Sequence, residues 1–144
     1  MSFVVRPRIA VCCAALVLVL SACVSSPTPE SEVWEVTPGA SFASDYGLNA
    51  SNSGYIQITR DSGNSGSACT TSVVVGNRSA ARLRPAERVT VRVATGEYKV
   101  TAEIVGMCPG LMSEQMVHVA PGVTKRLRIR YGEVPGAFGI VAEN

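Results

Sequence analysis

"RVTVRVATGEYKVTAEI", residues Arg88 to Ile104, is the stretch that decides the fold. Val89, Val91 and Val93 alternate with Arg88, Thr90 and Arg92. After Ala94-Thr95-Gly96 the alternation resumes, with Tyr98, Val100, Ala102 and Ile104 set against Lys99, Thr101 and Glu103. Successive side chains of a strand point to opposite faces, so apolar residues two apart line one face and polar residues the other. A period of two on both sides of a glycine turn predicts two half-buried antiparallel strands joined tightly.

The same texture extends in both directions. "YIQITR" (Tyr55–Arg60) puts Ile56 and Ile58 on one face and Gln57 and Thr59 on the other. "RLRIRY" (Arg126–Tyr131) aligns Leu127, Ile129 and Tyr131 against Arg126, Arg128 and Arg130. "TTSVVVG" from Thr70 and "QMVHVA" from Gln115 supply two more strands, and "AARL" at Ala80–Leu83 a short seventh. "ATGE" and "APGV" place glycine where tight connections need positive φ, while "RDSGNSGS" makes a polar loop before Cys69. No long helical period follows the N-terminal segment. The expectation is an all-β fold, a small antiparallel β-sandwich of six to seven strands spanning residues 55–132, immunoglobulin-like or transthyretin-like in size.

The N-terminus has a different character. Arg6 and Arg8 precede an uninterrupted apolar stretch, Ile9 to Leu20. As a helix this stretch is about 18 Å long at roughly 1.5 Å per residue, against a hydrocarbon core of about 30 Å. A short basic region, a short apolar region and small residues before a cut site mark a secretory signal rather than a span. Leu20-Ser21-Ala22-Cys23 resembles the bacterial lipobox, in which an apolar residue and two small ones precede a cysteine. The resemblance implies cleavage of residues 1–22, a covalent diacylglycerol on the Cys23 thiol and an acyl chain on its new amino group. Two or three such chains hold a protein stably on a membrane, where one does not. Val24 stands where an aspartate would favour the inner membrane, so the resemblance implies the outer membrane, with the domain in the periplasm. Residues 23–54, beginning "VSSPTPESE" after Cys23, are rich in Ser, Thr, Pro, Gly and Asn, and their first part reads as a flexible tether. Trp34, Phe42 and Tyr46 within it would dock on the domain or await a partner, and docking is the plainer expectation. The tail, residues 133–144, is expected to pack loosely, with an edge strand or a partner-binding peptide as the alternatives.

Removing 22 of the 144 residues leaves 122, enough for one domain and a tether. The chain has 13 basic and 11 acidic residues; loss of Arg6 and Arg8 with the signal leaves 11 of each. The mature charge is balanced, and nothing in it argues for nucleic acid. Cys12 and Cys13 leave with the signal and Cys23 takes the lipid. Cys69 and Cys108 remain, in a chain destined for an oxidising compartment, and are expected to form a structural disulfide. There is no CxxC, and His118 is the single histidine, so neither a metal site nor a redox motif is read, and no cofactor is expected beyond the covalent lipid.

The residues offer no catalytic constellation. "GNSGS" (Gly63–Ser67) departs from the G-x-S-x-G nucleophile elbow at its last position, and there is no GxGxxG or P-loop. His118 is out of phase with Val117 and Val119 and reads as an outward strand residue. Arginines are more suggestive. Arg126, Arg128 and Arg130 form one outward stripe, and Arg88 with Arg92 another. Guanidinium groups grip phosphates and carboxylates bidentately, so these five could read an anionic ligand. The plainer reading, which the sequence alone favours, is a solvated strand face whose arginines keep an edge from pairing with another sheet.

"SVVVGNRSAARLRPAERVTVRVATGEYKVTAEI" resembles the PEGA-type and related transthyretin-like modules. Val73, Val75 and Gly76 match their "V-x-V-G" turn, and Thr95-Gly96-Glu97-Tyr98-Lys99-Val100 their "P-G-x-Y-x-V", with threonine in place of proline. Ile56-Gln57-Ile58-Thr59-Arg60 ahead of Cys69 is similar to a pattern of small envelope lipoproteins. These resemblances imply a non-enzymatic, lipid-anchored binding or structural module, with an envelope protein, peptidoglycan or lipopolysaccharide as its partner. The other expectation is an inhibitor or immunity-type protein, with loops Asp61–Ala68 and Pro109–Ser113 clamped by Cys69 and Cys108 to plug an enzyme cleft.

Overall fold

The computed structural model describes residues 25–63, 65–108, 110–132 and 137–143. Nine strands follow in chain order: β1 Trp34–Val36, β2 Ser53–Arg60, β3 Thr70–Val75, β4 Arg78–Leu83, β5 Glu87–Ala94, β6 Gly96–Val105, β7 Met112–Val119, β8 Thr124–Arg130 and β9 Gly139–Glu143. They form a five-stranded sheet in the order β1-β5-β2-β8-β9 and a four-stranded sheet in the order β4-β3-β6-β7. The all-β sandwich expected from the alternation is therefore the fold.

Its core is built by the alternating residues. Ile56, Ile58, Val89, Val91, Val93, Leu127 and Ile129 from the five-stranded sheet meet Val73, Val75, Leu83, Val100, Ala102 and Val119 from the four-stranded one, each at 0–1 % exposure. The turn between β5 and β6 uses Gly96 at φ 148°, and that between β3 and β4 uses Gly76 at φ 61°, conformations that a Cβ would strain.

Three features depart from the sequence reading. First, the sandwich has nine strands among the described residues rather than six or seven. Second, it is not wholly antiparallel: β1 pairs β5 in parallel and β2 pairs β8 in parallel. Parallel neighbours cannot be joined by a hairpin, so alternation within single strands carries no trace of them.

Third, the domain starts well before residue 55. Much of the segment read as a tether is part of the fold. Ser25 donates from its amide and its hydroxyl to the Tyr131 carbonyl, at 3.2 and 2.7 Å, and its Oγ accepts from the Tyr131 amide at 2.8 Å. Ser26 and Ser62 exchange backbone hydrogen bonds, and Thr28 Oγ1 donates to the Arg60 carbonyl. The chain thus crosses the end of the five-stranded sheet before β1 pairs with the free edge of β5. A 3₁₀ helix, Ala40–Gly47, then brings Phe42 into the core at 3 % exposure, beneath the Arg78 guanidinium 4.0 Å from its ring centre. Phe42 docks as the sequence suggested, whereas Trp34 stays 72 % exposed. At the other terminus β9 pairs with β8 and buries Ile140, so this part of the tail is an edge strand.

Candidate functional site

Strand register brings both arginine stripes to the solvent face of the five-stranded sheet, with β2 between them. Reading across that face, Glu35 of β1 lies beside Arg88 of β5, then Thr59, Arg128 and Val141. The next row is Thr90, Gln57, Arg126 and Glu143, and the third is Arg92, Tyr55 and Thr124. Neighbouring strands are about 4.8 Å apart, so Arg88 and Arg128 stand roughly 10 Å from each other across Thr59.

Most of these cations are already engaged. Arg88 grips Glu30 with both terminal nitrogens, at 2.5 and 2.6 Å, and donates from Nε to Thr59 Oγ1 at 2.9 Å. The hydrogen bond to Arg88 holds the Glu30 carboxyl below the usual carboxylate range, and the same bond raises the pKa of Arg88. Arg128 forks onto Asp61, Nε to Oδ1 at 2.8 Å and Nη2 to Oδ2 at 2.7 Å, with Glu143 3.5 Å from Nε. The Asp61 side chain is 1 % exposed, and its hydrogen bonds raise the pKa of Arg128. Arg92 donates to Ser53 Oγ and lies 5.9 Å from the Tyr55 ring centre.

Arg88, Arg92, Arg126, Arg128 and Arg130 thus share this face with four carboxylates, Glu30, Glu35, Asp61 and Glu143. The face is close to neutral. Arg126 and Arg130 are exposed and make no side-chain hydrogen bond or ion pair among the described residues. His118 is exposed on β7 opposite Glu97, and beside Lys125, Arg126 and Glu143 it lines a shallow depression.

The most constrained polar group was missed by the sequence reading. Arg60, the last residue of β2, is fully buried. Its Nη1 donates to the carbonyls of Cys69 at 2.7 Å and Leu83 at 2.9 Å, and Nη2 to that of Gly66 at 2.5 Å. The Tyr131 ring centre lies 4.6 Å from its Cζ, and the Tyr131 hydroxyl hydrogen-bonds Thr71 Oγ1 at 2.7 Å. Burial lowers the Arg60 pKa, yet an arginine stays charged. The signal was available, because Arg60 is in phase with Ile56 and Ile58 and so belongs to the inward face.

Cys69 and Cys108 form the expected disulfide. It ties the loop after β2 to the loop after β6 at the end of the sandwich where Arg60 is buried. Cys23, residues 1–22, Pro109, Asn64 within the Asp61–Ala68 loop, and residues 133–136 lie outside the described residues. Among the described residues, no helix is long and apolar enough to cross a membrane, and no three His, Cys, Asp or Glu side chains are grouped to hold a metal.

No protein-family model, curated protein or solved structure matches the chain.

Proposed function

We propose that this chain is a lipid-anchored, non-enzymatic binding or structural module of the cell envelope. It is held through acyl chains on Cys23, at the periplasmic side of the outer membrane. The lipobox-like Leu20-Ser21-Ala22-Cys23 supplies the attachment. The observation that carries the compartment is the Cys69–Cys108 bridge, since such bonds persist in oxidising compartments. The engaged arginines of the sheet face act as an internal lattice. An anionic group of an envelope partner would be met by Arg126, which is exposed and makes no side-chain hydrogen bond or ion pair among the described residues.

Two measurements test this reading. Fractionation of cells expressing the Cys23→Ser variant should move the protein out of the membrane fraction; retention in the membrane would defeat the lipid anchor. Cross-linking in intact cells, followed by mass spectrometry of what copurifies, addresses the partner. An envelope protein, peptidoglycan or lipopolysaccharide supports a binding module. Recovery of one soluble enzyme, inhibited by the protein in assay and released by deleting the Asp61–Ala68 loop, would replace it with the inhibitor reading.

A further inference from the structure

The three most exposed large apolar side chains share one end of the sandwich. Met107 is 105 % exposed, Trp34 72 % and Met112 63 %; Leu111, beside Met112, is 40 % exposed. Met107 lies next to Cys108 in the loop after β6, Met112 opens β7, and Trp34 opens β1 opposite Glu87, the first residue of β5. Trp34 is in phase with the half-buried Val36, so it points to the core side of its strand but overhangs the end of the core. The turn of residues 84–86 and the buried Arg60 mark the same end. Among the described residues Arg82, Arg84 and Arg130 are exposed there, with Glu30, Glu32, Glu35 and Glu103 as exposed acids, Glu30 being held by Arg88.

That end is also where the chain leaves toward Cys23. Ser25 is 8 % exposed and pinned by three hydrogen bonds to the Tyr131 backbone, just past β8. One residue, Val24, separates Ser25 from Cys23, a Cα-to-Cα reach of at most about 7 Å. The headgroup layer on each side of the hydrocarbon core is roughly 5–8 Å thick. An acylated Cys23 would therefore leave no slack with which to lift this end off the bilayer. The anchor alone fixes one corner, at Ser25 and Tyr131. Tilt is left to the rest of the surface, and a rigid end carrying exposed apolar side chains among charged groups of both signs suits the interface, where amphipathic groups settle.

We propose that this end of the sandwich lies on the lipid headgroups, with Met107, Leu111, Met112 and Trp34 entering the interface and Arg82, Arg84 and Arg130 beside the phosphates. The domain then stands upright on the membrane, with the turns at residues 95–96 and 121–122 pointing away from it. The inference rests on the lipid anchor proposed above.

The test uses the purified mature lipoprotein in vesicles of phosphatidylethanolamine and phosphatidylglycerol. Mass spectrometry of the N-terminal peptide first reports whether Cys23 is acylated. Trp34 is the single tryptophan, so its fluorescence reports this end alone. The expected result is a blue-shifted emission, quenched by lipids brominated near the headgroup. The double variant Met107→Asp/Met112→Asp, whose sites are exposed and whose folding is checked by an unchanged Tm, should lose most of that quenching. An unacylated Cys23 would overturn both the anchor and the docking. An acylated Cys23 with Trp34 unquenched would overturn the docking and leave the anchor standing. Quenching that the double variant does not change would overturn the assigned orientation, because the anchor alone would then account for it.

Discussion

Replacing Arg60 by methionine should destabilise the domain by about 3 kcal/mol. The guanidinium is fully buried and donates to three carbonyls, those of Gly66, Cys69 and Leu83. Methionine has similar reach and fills much of the same space, but leaves all three acceptors without this donor. The Gly66 carbonyl keeps the Cys69 amide at 2.9 Å, whereas the Cys69 and Leu83 carbonyls lose this partner at about 1–3 kcal/mol each, roughly 2–6 kcal/mol together. Against this stands the desolvation of a buried cation, several kcal/mol, which disappears with the charge. No carboxylate among the described residues pairs with Arg60, and its Nε has no hydrogen-bond partner, so that relief is substantial. Orphaned carbonyls still outweigh it, because acceptors from the loop after β2 and from β4 lose their shared donor together. The loss of about 3 kcal/mol corresponds to a Tm lower by roughly 12 °C, at about 4 °C per kcal/mol for a domain of this size. Arg60→Lys keeps the charge but not the fork, and should fall between methionine and the native residue. Urea unfolding with the disulfide intact, verified by mass, is the assay, and hydrogen exchange should rise first at residues 61–69. Arg60→Met within about 0.5 kcal/mol of the native protein, the range of an ordinary surface change, would refute the reasoning.

Three further outcomes follow from the same geometry. Phe42→Ala should cost about 3 kcal/mol by leaving a cavity under Arg78, and should open residues 34–47 to protease; no change in either would mean that this segment is not part of the cooperative unit. Replacing Cys69 and Cys108 together by alanine opens a loop whose ends are 39 positions apart, with a loss of about 4 kcal/mol by loop entropy and commonly less, read as a lower urea midpoint. Glu30 has a folded pKa lowered by its hydrogen bond to Arg88, so its contribution is present above the ordinary carboxylate value of about 4.3 and is lost as pH falls through the lower folded value. A carboxyl carbon titration by NMR should place Glu30 below that value in the native protein and return it toward that value in Arg88→Gln; equal midpoints in the two proteins would contradict the pairing.

The core was legible because it is written strand by strand. Val89, Val91 and Val93 are two apart, and the pleat alone sends them to one side whatever lies next to them. The same rule applied to Arg60 points inward. An arginine breaks the apolar pattern, though, and only the three carbonyls delivered by other segments make its burial tolerable. β1 and β9 were harder to find for another reason. A three-residue strand has only one half-buried residue, Val36, and its identity as a strand depends on the free edge of β5 beside it.

What the sequence determined by itself, then, is the set of faces: which residues turn inward along β2, β5, β6 and β8, and that the arginines of β5 and β8 turn outward. Tertiary structure decided what those faces meet. Asp61 lies 67 positions from Arg128, and Glu30 lies 58 from Arg88, so their pairing depends on strand order and on the path of the chain across the sheet end. Periodicity is a property of the local backbone and survives in any arrangement of strands. Charge pairing is a property of distances between segments remote in sequence, and those distances exist only once β2 lies between β5 and β8 and residues 25–33 cross their ends.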